Sequence, residues 1–241
     1  MQIQNESQKT LRLRILEEMK TGLFAQSDKL PRETELSELL GISRTQLRDT
    51  LSELDREGFI TRRHGVGTVI NRHVLEVQNR MDIETEFLDI IRQMGHEPSV
   101  SFIDVTEDAA DEHAARKLQM KPGDPVVRIR LVCDADGRPA IYCDDIFDKG
   151  LVKREYRDCD FKVIVFQFLE RFCDAEAYLD LTELHPVVAD ETLAGILKVN
   201  VGTPLLNMEE TDYDIEGRPL FYSRQYFVDS VIKHTVLRKR F

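Results

Sequence analysis

The sequence lacks any apolar run of the length that a membrane span needs, which is roughly 20 residues. Its N-terminus also lacks the continuous apolar core of a secretory signal, because it reads MQIQNESQKTLRLRILEEM. These two absences argue against a membrane protein and against a secreted one. We therefore expect the protein in the cytoplasm.

Cysteine is scarce: the 241 residues contain four, Cys133, Cys143, Cys159 and Cys173, with no Cys-x-x-Cys spacing. In a cytoplasmic chain such thiols stay reduced, so we expect buried free cysteines. The six histidines form no metal-ligand motif. We expect neither a metal nor a cofactor.

Signatures of catalysis are also missing. The sequence contains no Ser/His/Asp arrangement of the hydrolase kind, no metal-ligand spacing and no glycine-rich phosphate loop. These absences favour a binding protein over an enzyme. With 241 residues the chain exceeds the usual size of one domain, so we expect two.

Basic residues are too few to make the chain positive, and its formal net charge is -11. The acidity is unevenly distributed, since residues 1–72 contain 12 Lys+Arg and 11 Asp+Glu whereas residues 73–241 contain 21 and 33. A contact between the first segment and DNA would therefore depend on the local placement of arginines, and not on overall charge.

A helix-turn-helix pattern occupies the stretch from Lys29 to Ile70. Ser43 is a strong N-cap residue, and Gln46 three residues later completes a capping box. The helix that begins there has apolar residues spaced four and three apart on one side: Leu47, Leu51 and Leu54. A shorter helix over Glu33 to Leu40 precedes it, and Gly41 closes the turn between the two.

A hairpin follows the second helix of this pattern. Phe59 to Arg62 is a strand signal, Arg63 to Gly67 contains two glycines that permit a tight turn, and Thr68 to Ile70 reads as a return strand. An additional helix over residues 7 to 21 completes the core. Helices followed by a hairpin predict a winged helix-turn-helix domain over residues 1–70.

The winged stretch resembles the N-terminal domain of GntR-family transcriptional regulators. The shared motifs are Leu30-Pro31-x-Glu33-x-Glu35-Leu36, Gly41-Ile42-Ser43-Arg44-Thr45, Arg48, Glu57-Gly58 and Gly65-x-Gly67-Thr68. The resemblance implies that the recognition helix and the wing contact double-stranded DNA. The residues expected there are Arg32, Thr34, Arg44, Thr45, Gln46, Arg48, Arg63, His64, Gly65 and Gly67. The alternative is a helical hairpin that binds another protein.

One pattern occurs twice in the second part of the chain. Gly123-Asp124-Pro125 and Gly202-Thr203-Pro204 each open a strand signal. Each strand leads to a turn, Asp136-Gly137-Arg138-Pro139 or Glu216-Gly217-Arg218-Pro219, and then to a second strand. A helical segment precedes each copy. The sequence therefore predicts two helix–hairpin halves that share one antiparallel sheet.

Further elements are predicted around these two halves. We expect a helix over residues 84 to 94, a short strand from Val100 to Val105, and a following helix capped by Thr106. Between the halves, Phe161 to Phe172 reads as an apolar helix. A last strand from Ile232 to Leu237 is expected at the edge of the sheet.

The repeated pattern is similar to the UTRA domain of the HutC subfamily of GntR regulators, over roughly residues 86 to 240. The resemblance implies an α+β chain in which an antiparallel-sheet domain of the chorismate-lyase type follows the winged helix-turn-helix. It also implies a small-molecule effector and a homodimer. We assign residues 71–85 to a linker and residues 86–241 to the effector-binding and dimerisation domain.

Alternation along the first strand of the repeat places Arg128 and Arg130 on one face. Two neighbouring arginines repel each other unless an anion or carboxylates lie between them. One interpretation is an anionic effector, and the other is internal pairing, with Glu209 as a partner of Arg130. The residues expected at the effector are Arg128, Arg130, Ser99, Tyr142, Glu209, Phe221, Tyr222 and Arg224.

We interpret the chain as a ligand-responsive transcriptional repressor that binds an imperfectly palindromic operator as a homodimer. Three alternatives stay open. The second domain could be a chorismate-lyase-like enzyme, the protein could be an activator or architectural protein without an effector, or the second domain could be all-helical, as in other GntR members. The paired Gly-x-Pro hairpins argue against the third.

Overall fold

The computed structural model describes residues 7–83, 85–157 and 165–239. These residues form two compact units, one comprising residues 7–83 together with 234–239, and the other lying within Thr85–Lys233. Among the described helices, none combines the length and the apolar character that a membrane span requires.

Three helices build the first unit: α1 (Gln8–Lys20), α2 (Glu33–Leu40) and α3 (Arg44–Arg56). The N-cap predicted for α3 is confirmed, because the Ser43 hydroxyl oxygen accepts a hydrogen bond from the Gln46 backbone N–H at 3.2 Å. The apolar stripe of α3 is fully buried with the stripe of α1 in one hydrophobic core. Burial of these leucines and isoleucines leaves the polar side of α3 to solvent.

A small antiparallel sheet completes the first unit. Its strands are β1 (Lys29–Leu30), β2 (Ile60–Arg63) and β3 (Gly67–Ile70), in the order β1-β3-β2. The hairpin of β2 and β3 is the predicted wing. The two-residue strand β1 was not predicted, since so short a pairing leaves no periodicity in the sequence.

The segment after β3 is partly helical. Residues 71–83 were predicted to be an aperiodic linker, yet α4 (Arg72–Leu75) forms there and buries Val74 and Leu75. Arg72 donates hydrogen bonds to the backbone carbonyls of Met19, Phe24 and Ser27. These contacts tie the beginning of the linker to the winged unit.

The C-terminal segment also belongs to the winged unit. The expectation of a strand from Ile232 to Leu237 is wrong, because the described residues 228–239 contain no strand. Instead the Met81 N–H donates to the Thr235 carbonyl at 2.8 Å, and the Leu237 side chain packs against the core of the winged unit. Apolar burial of Leu237 there replaces the sheet pairing that the sequence suggested.

A six-stranded antiparallel sheet forms the centre of the second unit, in the order β4-β5-β6-β9-β8-β7. Its strands are β4 (Pro98–Ala109), β5 (Pro125–Ala135), β6 (Arg138–Asp148), β7 (Leu179–Val188), β8 (Pro204–Tyr213) and β9 (Pro219–Phe227). The two repeats meet where β6 pairs with β9. The predicted sharing of one antiparallel sheet by both halves is confirmed.

Four helices pack on this sheet: α5 (Phe87–Gln93), α6 (Glu112–Lys117), α7 (Val165–Phe168) and α8 (Glu191–Leu197). A π-helical turn, Leu169–Cys173, continues α7. Helices α6 and α8 contact the face that carries Tyr222 and Tyr142, which we call the arginine face because Arg128 also lies on it. Helices α5 and α7 contact the opposite face, which carries Phe147, Phe221 and Phe227, and which we call the cavity face.

One helix prediction in this unit needs correction. Thr106 does not cap a helix, because it lies within β4 opposite Arg128. The cap of α6 is Asp111, whose carboxylate accepts from the Ala114 N–H at 2.8 Å. Pairing with β5 satisfies the backbone around Thr106, so the strand continues beyond its predicted end. Of the helix predicted over residues 161–172, residues 161–164 lie outside the described residues.

Candidate DNA-binding surface and effector cavity

The start of α3 is an exposed polar surface on a buried support. Arg44, Thr45 and Arg48 are exposed, whereas Leu47 and Leu51 between and beyond them are almost completely buried. The buried leucines fix the direction in which the exposed side chains project. Because the Ser43 cap begins the helix at Arg44, these side chains occupy its first turns, where recognition helices present base-reading groups.

An ion-pair network connects α2, α3 and the wing. Glu33 accepts from Arg62 at 2.6 Å and lies 3.7 Å from the Arg48 guanidinium. Arg62 also donates to the Ser52 hydroxyl at 3.1 Å. The sequence did not point to Glu33 or Arg62 as parts of this surface, because 29 residues separate them and no local motif links them. Glu33 thus contacts both Arg48 of α3 and Arg62 of the wing strand β2.

The wing turn depends on two glycines in left-handed conformations, Gly65 with φ 76° and Gly67 with φ 98°. The Lys29 ammonium donates to the Val66 carbonyl at 3.1 Å and so anchors the tip. Arg63 and His64 at the turn are exposed.

The remaining predicted DNA contacts lie at helix starts. Arg32 precedes α2 as its N-cap without a side-chain capping bond, and Thr34 lies in the first turn; both are exposed. Gln46 is half-buried on α3. The predicted DNA residues therefore occupy the starts of α2 and α3 and the wing turn.

On the arginine face, both arginines of the predicted pair have carboxylate partners. Arg130 donates to Asp104 at 2.7 Å, and Arg128 lies 3.2 Å from Asp144. Arg224 from β9 donates to the other oxygen of Asp144 at 2.5 Å. Internal pairing, the second interpretation of the pair, is therefore present, but the partner of Arg130 is Asp104 and not Glu209.

The other predicted effector residues divide between the faces. Glu209 lies 3.2 Å from the His113 imidazole, which lies 3.0 Å from the Tyr222 hydroxyl, all on the arginine face. Tyr142 stacks on Tyr226 there with ring centroids 5.8 Å apart. Two further predicted residues lie elsewhere: Phe221 on the cavity face and Ser99, exposed, on the edge strand β4.

One group of potential metal ligands lies near the arginine face. Ligand atoms of Glu183, His185 and Glu209 lie within 4.8 Å of one another. Glu183 already pairs with Lys117 at 2.6 Å, and Glu183 and His185 are exposed. The two glutamates of the group are thus already engaged, Glu183 by Lys117 and Glu209 by His113.

A cavity lies between the cavity face and helices α5 and α7. Its empty space, including its mouth, is about 410 Å³. Six apolar side chains form most of the wall: Phe87, Val100, Leu131, Val165, Phe166 and Phe221. Five polar or thiol groups come from the sheet: Cys133, Cys143, Asp145, Glu210 and Gln225. An apolar pocket with a few convergent polar groups is the usual form of a small-molecule site.

Two carboxyl groups in this cavity are deeply buried. Asp145 is 4% and Glu210 8% exposed. Burial raises the pKa of Asp145 to about 7, partly offset by a hydrogen bond from the Ser223 hydroxyl at 2.5 Å. Burial also raises the pKa of Glu210, which accepts from the Gln225 amide at 3.2 Å. Neither residue lies in a motif, so this pair could not be recognised from the sequence.

The described cysteines, two of which lie beside these acids in the cavity wall, are buried. Among the described residues, Cys133, Cys143 and Cys173 are buried and free, as expected; Cys159 lies outside the described residues. A hydrogen bond with Cys133, and then burial, raises the pKa of Cys143. A neutral buried thiol behaves as a small apolar group in the cavity wall.

A capped recognition helix with a wing in one unit, and a cavity-bearing sheet in the other, define the class of protein: a ligand-responsive, DNA-binding transcriptional regulator. Residues 7–70 match the family "Bacterial regulatory proteins, gntR family", and residues 93–233 match the UTRA domain. The chain belongs to the GntR family and carries a UTRA domain, as its motifs indicated.

Individual relatives agree with this assignment. The chain is 27% identical over 235 residues to the HTH-type transcriptional repressor NagR of Bacillus subtilis, covering 94% of each chain. It is 29% identical over 152 residues to the histidine utilization repressor of Pseudomonas putida, covering 61% of this chain and 58% of that one. These relatives are named as regulators.

Solved structures support the fold. The possible transcriptional regulator YydK of Bacillus subtilis superposes with a TM-score of 0.79 at 17% identity, covering 96% of this chain and 99% of that one. PhnF of Mycobacterium smegmatis gives a TM-score of 0.59 at 18% identity, with coverage of 96% and 98%. The predicted α+β fold class, a winged helix-turn-helix followed by an antiparallel-sheet domain, is confirmed.

Proposed function

We propose that the protein is a cytoplasmic repressor that binds an operator as a homodimer and changes its affinity for DNA when a small effector occupies the cavity. One observation carries the proposal: α3 is capped at its start and buried along one side, and it exposes Arg44, Thr45 and Arg48 on the other. Repression is supported by the names of NagR and the histidine utilization repressor, which are similar to this chain. We propose sensing, and not catalysis, as the role of the second unit.

On DNA, Arg44 and Arg48 contact phosphates or base edges in the major groove, and the Gly65–Gly67 wing turn approaches the minor groove. Arg48 is only loosely held by Glu33, at 3.7 Å with its side chain two-thirds exposed. Exchange of this contact for a phosphate therefore costs little, because exposed ion pairs contribute about 0–1 kcal/mol. Arg62 keeps Glu33 neutralised after the exchange.

The homodimer is supported by the edge strand β7. Four of its apolar side chains are half or more exposed: Leu179, Leu181, Leu184 and Val188. A long edge strand with exposed apolar groups is a template for pairing, and a two-fold axis would let β7 pair with its copy in a second chain. Two winged units would then read two half-sites of an imperfect palindrome.

We place the effector in the cavity and not on the arginine face. An anionic effector was predicted from Arg128 and Arg130, and it stays a prediction. The charges of these residues are now balanced by Asp144 and Asp104. The cavity combines an apolar wall with polar groups that come from the sheet.

Effector and DNA affect each other through linkage. An effector that binds better to the protein in its DNA-free geometry must weaken DNA binding by the same factor, typically with a coupling of about 1–3 kcal/mol.

The test is selection of duplexes from a random pool by the full chain, followed by fluorescence anisotropy with the selected duplex across a salt series. The double variant Arg44→Ala/Arg48→Ala should lose on the order of 100-fold in affinity and should lower the salt slope, because two phosphate or base contacts disappear. Arg56→Ala, an exposed arginine at the other end of α3, is the matched control and should bind normally.

Unchanged affinity in the double variant would refute the recognition-helix assignment. Sedimentation of the same preparation checks the homodimer, where a monomer at the concentrations that bind DNA would contradict it.

A further inference from the structure

The cavity contains a charge arrangement that the fold does not need. Asp145 on β6 and Glu210 on β8 lie on the same face of the sheet, on either side of β9, and the Glu210 carboxylate raises the pKa of Asp145. Asp212, itself 2% exposed, hydrogen bonds with Glu210, which requires a proton on one of these two carboxyl groups. Buried carboxylates normally have a cationic partner or a metal, because an isolated buried charge is costly.

No such partner is present among the described residues. Arg, Lys and His are absent from the described lining of the cavity. The described hydrogen-bond partners of the two acids carry no positive charge: the Ser223 hydroxyl at Asp145, and the Thr182 hydroxyl, the Gln225 amide and the Asp212 carboxyl at Glu210. The arginine face differs, since each of its carboxylates Asp104 and Asp144 touches a guanidinium.

An acceptor in the same cavity also has no partner. Gln225 is 3% exposed and lines the cavity, and its amide nitrogen is used by Glu210. Its amide oxygen has no hydrogen-bond partner within the described part of the chain. A buried acceptor without a partner costs about 1–3 kcal/mol, so this oxygen is available to a donor that enters the cavity.

We propose that the effector carries a cationic, nitrogen-donor head group, such as an amidinium, guanidinium, imidazolium or amine, joined to a compact apolar or aromatic body. Asp145 and Glu210 bind the head group through charge-assisted hydrogen bonds, and the Gln225 oxygen accepts a further N–H. The aromatic walls Phe87, Phe166 and Phe221 contact the body. This inference rests on the proposed role of the second unit as an effector sensor.

The opposite ligand charge is disfavoured by the same groups. An anion in this cavity would meet two carboxyl groups and an amide oxygen, without a cation in the described lining to offset them. A neutral apolar molecule would leave the Gln225 oxygen unsatisfied. A cation with several N–H groups satisfies all three acceptors at once.

The cavity must open to receive such a ligand. Its interior holds little more than one water molecule in this conformation. The α7 wall is the adaptable side, because the described part of α7 passes into a π-helical turn, Leu169–Cys173, whereas the opposite wall is the centre of a sheet. An effector that binds only when this wall is displaced favours the open conformation of the cavity over the closed one. Such a difference in affinity is what a shift in population requires.

The experiment uses three isosteric probes with the full-length protein: benzamidine, benzamide and benzoate. They share the ring and shape but are cationic, neutral and anionic. Isothermal titration at about pH 8, where most of Asp145 is ionised, should give benzamidine the tightest binding, by at least about tenfold over benzamide, with benzoate weakest. Benzamidine affinity should fall as pH is lowered through 7, because Asp145 must release its proton to bind the cation.

Two variants and a control locate the binding site. Asp145→Asn and Glu210→Gln keep side-chain size, and each should weaken benzamidine by about tenfold while leaving benzamide unchanged. Asp145→Asn should also remove the pH dependence near 7; Glu210, Asp144, Cys133 and Cys143 are the other titratable groups near it. Asp134→Asn, a buried carboxylate of β5 outside the cavity lining, should change neither probe.

The inference is overturned if benzoate binds as tightly as benzamidine, if none of the three probes binds, or if Asp145→Asn and Asp134→Asn behave alike. Anisotropy with the selected duplex in parallel separates the two proposals. Specific DNA binding with the wrong probe order refutes the ligand class alone, whereas absence of specific DNA binding refutes the regulator itself.

Discussion

The two faces of the central sheet treat buried charge in opposite ways. On the arginine face, three guanidiniums and two carboxylates alternate, and Asp144 is shared between Arg128 and Arg224. On the cavity face, Asp145 and Glu210 accept hydrogen bonds from groups that carry no positive charge. Adjacent residues of one strand, Asp144 and Asp145, thus lie in environments of opposite sign.

This difference makes the cavity face, and not the arginine face, the better candidate for ligand binding. A satisfied ion-pair network stabilises and orients its members, so it offers little to a ligand. An unsatisfied buried cluster costs stability, and natural proteins retain such costs chiefly at functional sites. Arg128 and Arg130 are the more conspicuous residues in the sequence, but the less obvious acids one face away are the better candidates.

We expect the largest change in stability when the carboxylate shared by two arginines, that of Asp144, is removed. Asp144→Ala leaves Arg128 and Arg224 facing each other and should lower the free energy of unfolding by about 2–4 kcal/mol, somewhat less than for a fully buried pair because both guanidiniums are partly exposed. Urea unfolding followed by circular dichroism measures the change. A loss under about 0.5 kcal/mol would mean that this face is not held by its ion pairs.

At the next residue, loss of the carboxylate is expected to raise the free energy of unfolding. Burial raises the folded-state pKa of Asp145 from 3.8 to about 7, so the folded protein loses stability as pH rises between these values. Asp145→Asn lacks this penalty and should stabilise the protein near pH 8 by on the order of 1–3 kcal/mol, with no gain near pH 4.

Thermal and urea unfolding at the two pH values test this difference. Equal effects of the Asn substitution at both values would show that the carboxyl of Asp145 is not desolvated, and the contrast between the faces would collapse.

The smallest expected effect concerns the rim of the arginine face. Arg130 and Asp104 pair with side-chain exposures of 36% and 38%. Water screens such a pair, so Asp104→Ala should cost at most about 1 kcal/mol by the same unfolding assay. A cost equal to that of Asp144→Ala would show that the two pairs act as one network, which a double-mutant cycle would then measure.

Several elements could be predicted because their signals are local. Ser43 with Gln46 identified the start of α3, and the paired Gly-x-Pro turns identified both hairpins of the sheet. Thr106 misled because Asp-rich sequence after it resembles a helix start, and only pairing with β5 decides in favour of a strand. The C-terminal segment misled for the same reason, since Leu237 has an apolar partner only in the folded winged unit.

The candidate sites divide along the same line. The exposed arginines of α3 follow from helix spacing, whereas Glu33 meets Arg62 and Arg48 only in the folded unit. Asp104 as the partner of Arg130 depends on strand register and could not be chosen over Glu209 beforehand.

The class of this protein could be inferred from its residues alone: a capped, winged DNA-binding domain followed by a domain with a duplicated antiparallel sheet. Caps, turns and periodicity are set by residues within a few positions of each other, so they can be read along the chain. Which carboxylates of the sheet have a cationic partner depends on the tertiary structure. Electrostatic partners are chosen by distance in space, and Asp145 and Glu210 are 65 positions apart in sequence yet line one cavity.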